Sequence, residues 1–277
     1  MATGTLVSAG QLAAELAGAD APVVLDCRWS LAGGPDRDGY GRGHLPGAVF
    51  VDLDRELSAP PGRDGSGGRH PLPDPGVFEA AMRRAGVGAD RPVVAYDDWG
   101  GHAAARCWWL LRHHGHPDVR VLDGAWPAWV ADGGPVETGA VEIAAGDFRP
   151  GAGVLPLVEA DRVLDVPVLV DARAPERHRG DVEPIDPVAG RIPGAVNLPT
   201  SANLAADGRF RDPDQLRALY EAAGVPTDGT QVAVYCGSGV TAVHDLLALE
   251  LIGVRAALYP GSWSEWITDP ERPVERG

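Results

Sequence analysis

Eight short apolar runs punctuate the chain, at residues 23–26, 48–51, 92–96, 119–122, 168–171, 195–198, 231–235 and 255–258. They are short, mostly apolar on both faces and as a set rich in Val, as strands buried on both faces of a parallel sheet are. Between them lie stretches with helical spacing. "DPDQLRALYEAAG" (212–224) is one, with Asp212 placed to cap its start and Gly224 to stop it. Another begins after residue 241, where Val243, Leu246, Leu247 and Leu251 predict one apolar stripe. Strands alternating with helices predict an α/β fold, a mainly parallel sheet with helices on both faces.

The pattern occurs twice. "VVLDCRW" (23–29) returns as "VLVDARA" (168–174), and "GHLPGAVFVDL" (43–53) as "GRIPGAVNLPT" (190–200). "AGVGADRPVVAYD" (85–97) returns as "AGVPTDGTQVAVYC" (223–236), and "VLDGAWPAWVADGGPVE" (121–137) as "LYPGSWSEWITDPERPVE" (258–275). Four matches in one order imply a duplicated domain, since the period is too long for a solenoid repeat. The offset falls from 147 residues at Gly43 to 137 at Val121, because the first copy carries a Gly/Pro-rich insert near 58–73. The join lies in the weakly periodic stretch 138–156, giving domains 1–145 and 146–277.

Composition narrows the function. Acidic residues outnumber basic ones by 39 to 24, a net charge of −15, which argues against binding a nucleic-acid backbone. The first basic residue is Arg28, so the start lacks the charged segment of a signal peptide. No apolar run approaches the roughly 20 residues needed to cross a bilayer. These features are expected of a soluble cytoplasmic protein with no membrane partner. The three cysteines, Cys27, Cys107 and Cys236, form no C-x-x-C pair, so neither a zinc site nor a disulfide framework is expected.

Cys236 has the more telling setting. It closes an apolar run and is followed by "GSGVT" and then a helix pattern. In open α/β sheets ligands bind beyond the carboxyl ends of the strands. Gly237 and Gly239 let the backbone curl with its N–H groups inward, and the helix start adds its positive end. That setting favours an ionised sulfur, a nucleophile whose partner or product is anionic. The first copy has Asp97 at the same corner. Cys27 and Cys107 lack such a loop and are expected to be core residues.

Taken together, "GHLPGAVF" and "GRIPGAVN", "DARAPERHRG" (171–180), "ARCWWLLRHHGHPDVRVLDGAWPAW" (105–129) and "CGSGVTA" (236–242) resemble the tandem rhodanese family, the thiosulfate and 3-mercaptopyruvate sulfurtransferases. The resemblance spans nearly the whole chain. It implies two rhodanese-like domains, the first without the catalytic cysteine and the second with it. It implies that Cys236 takes a sulfane sulfur from 3-mercaptopyruvate or thiosulfate as a persulfide. Amides of the 237–241 loop (Gly237, Gly239, Val240, Thr241) would hold the charge, and a thiophilic acceptor such as cyanide, a thiol or a thioredoxin-like protein would remove the sulfur. "CGSGVT", which lacks Lys and Arg, resembles the loop of the mercaptopyruvate enzymes. Similarity also implies a relay of Ser238, His70 and Asp54, with Arg177 gripping the donor's anionic group. His102 occupies the place of an aromatic residue that often lines the family's cleft, where it would contact substrate or cap its helix. The second arginine that mercaptopyruvate enzymes carry just after "EP" is absent; Ile185 and Asp186 stand there. Arg191 is expected to be structural, and Asp171 and Arg173 to pair in the core. No metal or organic cofactor is implied.

Two other readings compete. A cysteine phosphatase needs an arginine six residues after its cysteine, where this chain has Ala242. A persulfide carrier serving a sulfur-relay partner would share all these motifs and differ only in turning over small donors poorly.

Overall fold

In the computed structural model, which describes residues 4–228 and 230–277, the backbone forms two compact units. Of the described residues, one comprises 4–59, 73–155 and 206–209; the other comprises 60–72, 156–205, 210–228 and 230–277. The Gly/Pro-rich segment 60–72 therefore packs with the second unit, although in sequence it interrupts the first copy.

The strands in chain order are β1 Leu6–Val7, β2 Val23–Asp26, β3 Trp29–Ser30, β4 Gly34–Pro35, β5 Val49–Phe50, β6 Val93–Tyr96, β7 Val119–Leu122, β8 Val168–Asp171, β9 Val196–Asn197, β10 Val232–Tyr235 and β11 Ala257–Leu258. The first unit holds a parallel sheet in the order β1-β7-β6-β2-β5. The second holds β11-β10-β8-β9, also parallel. The orders are equivalent once β1 is set aside, and even β1 has a remnant in the second copy, the single bridge Leu157↔Leu258. All eight apolar runs became strands. The exceptions to the expected pattern are β1, two residues long, and the antiparallel hairpin β3–β4, too short to leave an apolar run.

Each sheet buries its own core. Val24, Val94, Tyr96, Leu122 and Trp129 pack together in one, and Leu169, Ala233, Tyr235, Trp263 and Trp266 in the other. The helix Pro213–Ala222 begins where expected, with the Asp212 side chain accepting from Gln215 N–H at 2.9 Å. The helix Ala242–Leu251 departs from its expected single stripe, since every residue from Ala242 to Leu249 is buried. Its polar members His244 and Asp245 are inside too, and Asn203 donates to Asp245 at 2.7 Å. A helix buried on all sides carries no amphipathic signature.

The same ion-pair network closes the central strands of both copies. Arg28 donates to Asp26 through Nε and Nη2 and to the Gly43 carbonyl, with its guanidinium over Trp126. Arg173 repeats this with Asp171, the Gly190 carbonyl and Trp263. A tyrosine hydroxyl completes each carboxylate, Tyr96 on Asp26 and Tyr235 on Asp171. Burial pushes the Asp171 carboxyl up, but His178, the Arg173 charge and the Arg173 hydrogen bonds outweigh it and hold it at about 2.

A carboxylate held below its unfolded value stabilises the fold above that value and loses its contribution as pH falls through the folded one. For Asp171 the window runs from about pH 4 down to about pH 2, and the contribution is on the order of 2 kcal/mol. Asp171→Asn is expected to destabilise the protein in urea at pH 7, with the gap to wild type closing between pH 4 and pH 2. A gap unchanged at pH 2 would show that the ion pair is not its source.

Candidate functional site

The site is built on the turn that follows β10. Cys236 leaves the strand, Gly237 to Val240 form the loop, and Thr241 precedes the helix. Gly239 adopts φ +77°, and a Cβ there would lie 2.3 Å from the Pro260 carbonyl oxygen, so only glycine fits. Its N–H donates to the Cys236 sulfur at 3.1 Å. Thr241 makes no side-chain cap, so the helix start depends on the loop's own backbone.

A second turn supports the first. Ser262 sits at φ +54°, rare for a residue with a side chain. Its Oγ accepts from Cys236 N–H at 3.1 Å and donates to the Tyr259 carbonyl at 3.0 Å. Trp263 N–H donates to the Cys236 carbonyl at 3.0 Å and Ser264 N–H to that of Gly237 at 2.9 Å. The cysteine is thus held on both sides by a strained turn.

The segment 60–72 brings His70 to this loop. His70 Nδ1 lies 2.8 Å from Ser238 Oγ across 168 positions of sequence. The next residue inward, Arg69, was not among the residues that sequence suggested. Its backbone N–H donates to Ser264 Oγ at 3.0 Å, and its guanidinium pairs with Asp186. A Cβ on Gly237 would lie 3.0 Å from Arg69 Nη2 and 3.5 Å from Arg177 Nη1, so two guanidiniums converge beside the cysteine. Arg177 is itself paired, with Glu183 at 2.6 Å and Asp186 at 3.2 Å. The signal for Arg69 was a basic residue beside His70 and an acid, Asp186, where the family resemblance called for an arginine.

The sulfur is not open to solvent as its setting suggested. Cys236 is 1% exposed, Ser238 6% and Val240 2%. Pro260 packs against Gly239, and the guanidinium tips of Arg69 and Arg177 lie beside Gly237.

Asp54 and His102 belong to the first unit. Asp54, on the short helix Leu53–Glu56, accepts from Trp29 Nε1 at 2.8 Å, and burial raises its carboxyl despite that bond. His102 begins the helix His102–His113; its ring stacks on Trp99 at 4.5 Å with Nδ1 at the Trp99 carbonyl, and burial lowers its pKa. Arg191 is tied to Glu275 and to the Gly277 carbonyl. Cys27 and Cys107 are fully buried, and the hydrogen bond between them, with burial, pushes the Cys27 thiol well up, away from the nucleophilic form.

In the first copy the equivalent corner after β6 is already filled. Asp97 Oδ1 accepts from the N–H groups of Trp99 (2.9 Å) and Gly101 (2.8 Å), and Oδ2 from Ala103 (2.7 Å) and Ala104 (3.0 Å). Trp126 N–H donates to the Asp97 carbonyl as Trp263 does to that of Cys236, and Ala125 repeats the left-handed turn of Ser262 at φ +57°.

Two parallel α/β units of one topology, one corner carrying a thiol and the other a carboxylate, define a duplicated domain whose copies differ at that corner. The chain belongs to the rhodanese-like domain family, which matches residues 8–132 and again 157–269. It is 47% identical over 291 residues to a probable 3-mercaptopyruvate sulfurtransferase of Pseudomonas aeruginosa, covering 100% of both chains. It is 47% identical over 281 residues to a putative thiosulfate sulfurtransferase, SseB, of Mycobacterium tuberculosis, covering 98% of this chain and 97% of that one. The crystal structure of SseA from Escherichia coli, described as a rhodanese-fold 3-mercaptopyruvate sulfotransferase, superposes with a TM-score of 0.80 at 35% identity, covering 95% of this chain and 100% of SseA.

Asp97→Ala would leave four buried N–H groups without their acceptor. It is expected to lower unfolding free energy by about 3 kcal/mol, measured by urea denaturation. A loss within experimental error would mean that water replaces the carboxylate.

Proposed function

We propose that this protein is a sulfurtransferase that moves a sulfane sulfur from a small anionic donor, 3-mercaptopyruvate in preference to thiosulfate, through a persulfide on Cys236 to a thiophilic acceptor. The observation that carries the reading is the Cys236 sulfur receiving the Gly239 N–H at a glycine-bearing turn, with the Ser238–His70 pair beside it. The relatives' names support the reaction type.

The ionised sulfur attacks the donor's sulfur. A sulfur–sulfur bond forms and the carbon–sulfur bond of mercaptopyruvate breaks, its electron pair leaving on the pyruvate enolate. The proton of the donor thiol ends on the pyruvate methyl, and Cys236 is left as a charged persulfide. Ser238, hydrogen-bonded to His70, is the hydroxyl proposed to hand on that proton, and Asp54 is the third member of the proposed relay. The persulfide charge falls among the amides of Gly237, Gly239, Val240 and Thr241, a preorganised cradle that a growing negative charge strengthens. A thiol or thioredoxin-like acceptor, or cyanide, then attacks the outer sulfur and frees the Cys236 thiolate, in a ping-pong cycle. Arg177 would hold the donor's anionic group, and His102 is proposed to line the donor's path.

Cys236→Ser is expected to abolish transfer with the fold intact, while Cys27→Ser and Cys107→Ser retain it. Activity in Cys236→Ser, followed as pyruvate release, would refute the assignment. Side by side, kcat/KM for mercaptopyruvate is expected to exceed that for thiosulfate at least about tenfold, a difference of about 1.4 kcal/mol in transition-state binding. A thiosulfate preference would reverse the donor assignment. Failure to turn over either donor while accepting sulfur from a protein partner would favour a persulfide carrier.

A further inference from the structure

The Gly/Pro-rich segment 60–72 carries His70, and two hydrogen bonds just ahead of that residue fix its backbone. Gly67 N–H donates to Glu265 Oε1 at 2.7 Å, and Arg69 N–H donates to Ser264 Oγ at 3.0 Å. Gly68, between them, sits at φ +71°, and a Cβ there would lie 2.3 Å from the Gly261 carbonyl oxygen. The segment itself is a run of tight turns, with Gly65 N–H donating to the Gly62 carbonyl at 3.0 Å and Gly68 N–H to that of Gly65 at 3.1 Å. Turns of small residues bury little of their own, so their place is set by what they are fastened to.

The fastening points lie on the turn that also holds the nucleophile. Ser264 gives its N–H to the Gly237 carbonyl and takes the arm with its hydroxyl. Ser262, two residues earlier, takes the Cys236 N–H. One turn thus ties both the cysteine loop and the arm, and His70 Nδ1 comes to 2.8 Å from Ser238 Oγ. The first copy supplies the contrast. Setting "GAWPAW" (124–129) against "GSWSEW" (261–266) places Pro127 and Ala128 where Ser264 and Glu265 stand. Neither side chain carries an acceptor. Residues 206–209 pack with that unit instead, and Arg209 donates to Asp132 there at 3.1 Å. The glycine and both tryptophans are common to the two turns, and the two acceptors stand only in the copy that receives the His70 arm.

We propose that Ser264 and Glu265 are positioning residues, a dock that fixes the 60–72 arm so that His70 meets Ser238, and that this dock serves the proton-moving step of sulfur transfer rather than the attack on sulfur. The inference rests on the sulfurtransferase reading and its Ser238–His70 relay. The two donors separate the steps. Attack on mercaptopyruvate breaks a carbon–sulfur bond, and the thiol proton must reach the pyruvate carbon. Attack on thiosulfate breaks a sulfur–sulfur bond, the electron pair leaves on sulfite, and no proton moves. A displaced His70 therefore slows the first reaction and spares the second.

The test is single-turnover loading of Cys236 from each donor, read as pyruvate or sulfite release. It compares the full chain in wild type, Glu265→Ala, Glu265→Gln, Gly68→Ala and His70→Ala, each checked for folding by circular dichroism. Glu265→Ala and Gly68→Ala are each expected to slow loading from mercaptopyruvate about tenfold and to leave loading from thiosulfate within about twofold. Glu265→Gln, which keeps an oxygen for Gly67 N–H, should recover most of the loss. His70→Ala should show the same split, at about a hundredfold. Equal losses with both donors in Glu265→Ala and Gly68→Ala would overturn the dock, as would wild-type rates in both. If His70→Ala still shows the split, the relay stands without the dock. No split in His70→Ala removes the relay and the dock together, while sulfur transfer through Cys236 stands on its own variant.

Discussion

Backbone amides converging on a single buried acceptor are the constraint from which both copies are built. A strand ends, the chain turns tightly into a helix, and several N–H groups point to one place. Buried amides left without acceptors cost too much to persist. In the first copy the Asp97 carboxylate takes four of them permanently. In the second, Gly239 N–H is given to the Cys236 sulfur, at a corner followed by glycine and serine. The two copies thus differ in which acceptor fills the turn, a carboxylate in the first and a sulfur in the second. The first copy keeps the turn because the Asp97 carboxylate accepts the N–H groups that converge there.

Around that turn the copies share a frame. Asp26–Arg28 and Asp171–Arg173 lock the strands beside the corner, each with a tyrosine and a tryptophan. Removing one partner of a buried pair leaves an unpaired charge, which is why such pairs fix geometry even where they add little net stability. Ala125 and Ser262 occupy the same left-handed position, and only the second copy uses that side chain, to hold the cysteine's amide. Strain kept in both copies but functionally engaged in one marks Ser262 as part of the cysteine's positioning.

Much of this was legible in the sequence. Eight apolar runs became eight strands, because a strand buried on both faces is apolar at most of its positions. The duplication was legible from repeated stretches, and Cys236 from its glycine-rich corner. The short strand Leu6–Val7 and the hairpin at Trp29 and Gly34 were too small to leave a pattern. The helix after Cys236 is buried all round, so periodicity could not describe it. The burial of Cys236 was also hidden, since what lies over a loop comes from distant segments: Pro260 and Arg69 are near it in space only. Asp97 read as a missing cysteine, but its four hydrogen bonds show an occupant in its own right. His70 could be tied to Ser238 by resemblance alone; nothing local in "RHPLP" announces a partner 168 residues away.

The charge balance at the corner has a consequence for how a donor arrives. The chain carries −15 overall, so at long range it repels the anions that it is proposed to bind. The arginines near the loop do not reverse this, since Arg69, Arg173 and Arg177 are matched by Asp171, Glu183 and Asp186. Attraction is therefore confined to hydrogen-bond distance, where the direction of the N–H groups matters more than their summed charge. At such a corner the direction in which each N–H points counts together with the charge that it meets.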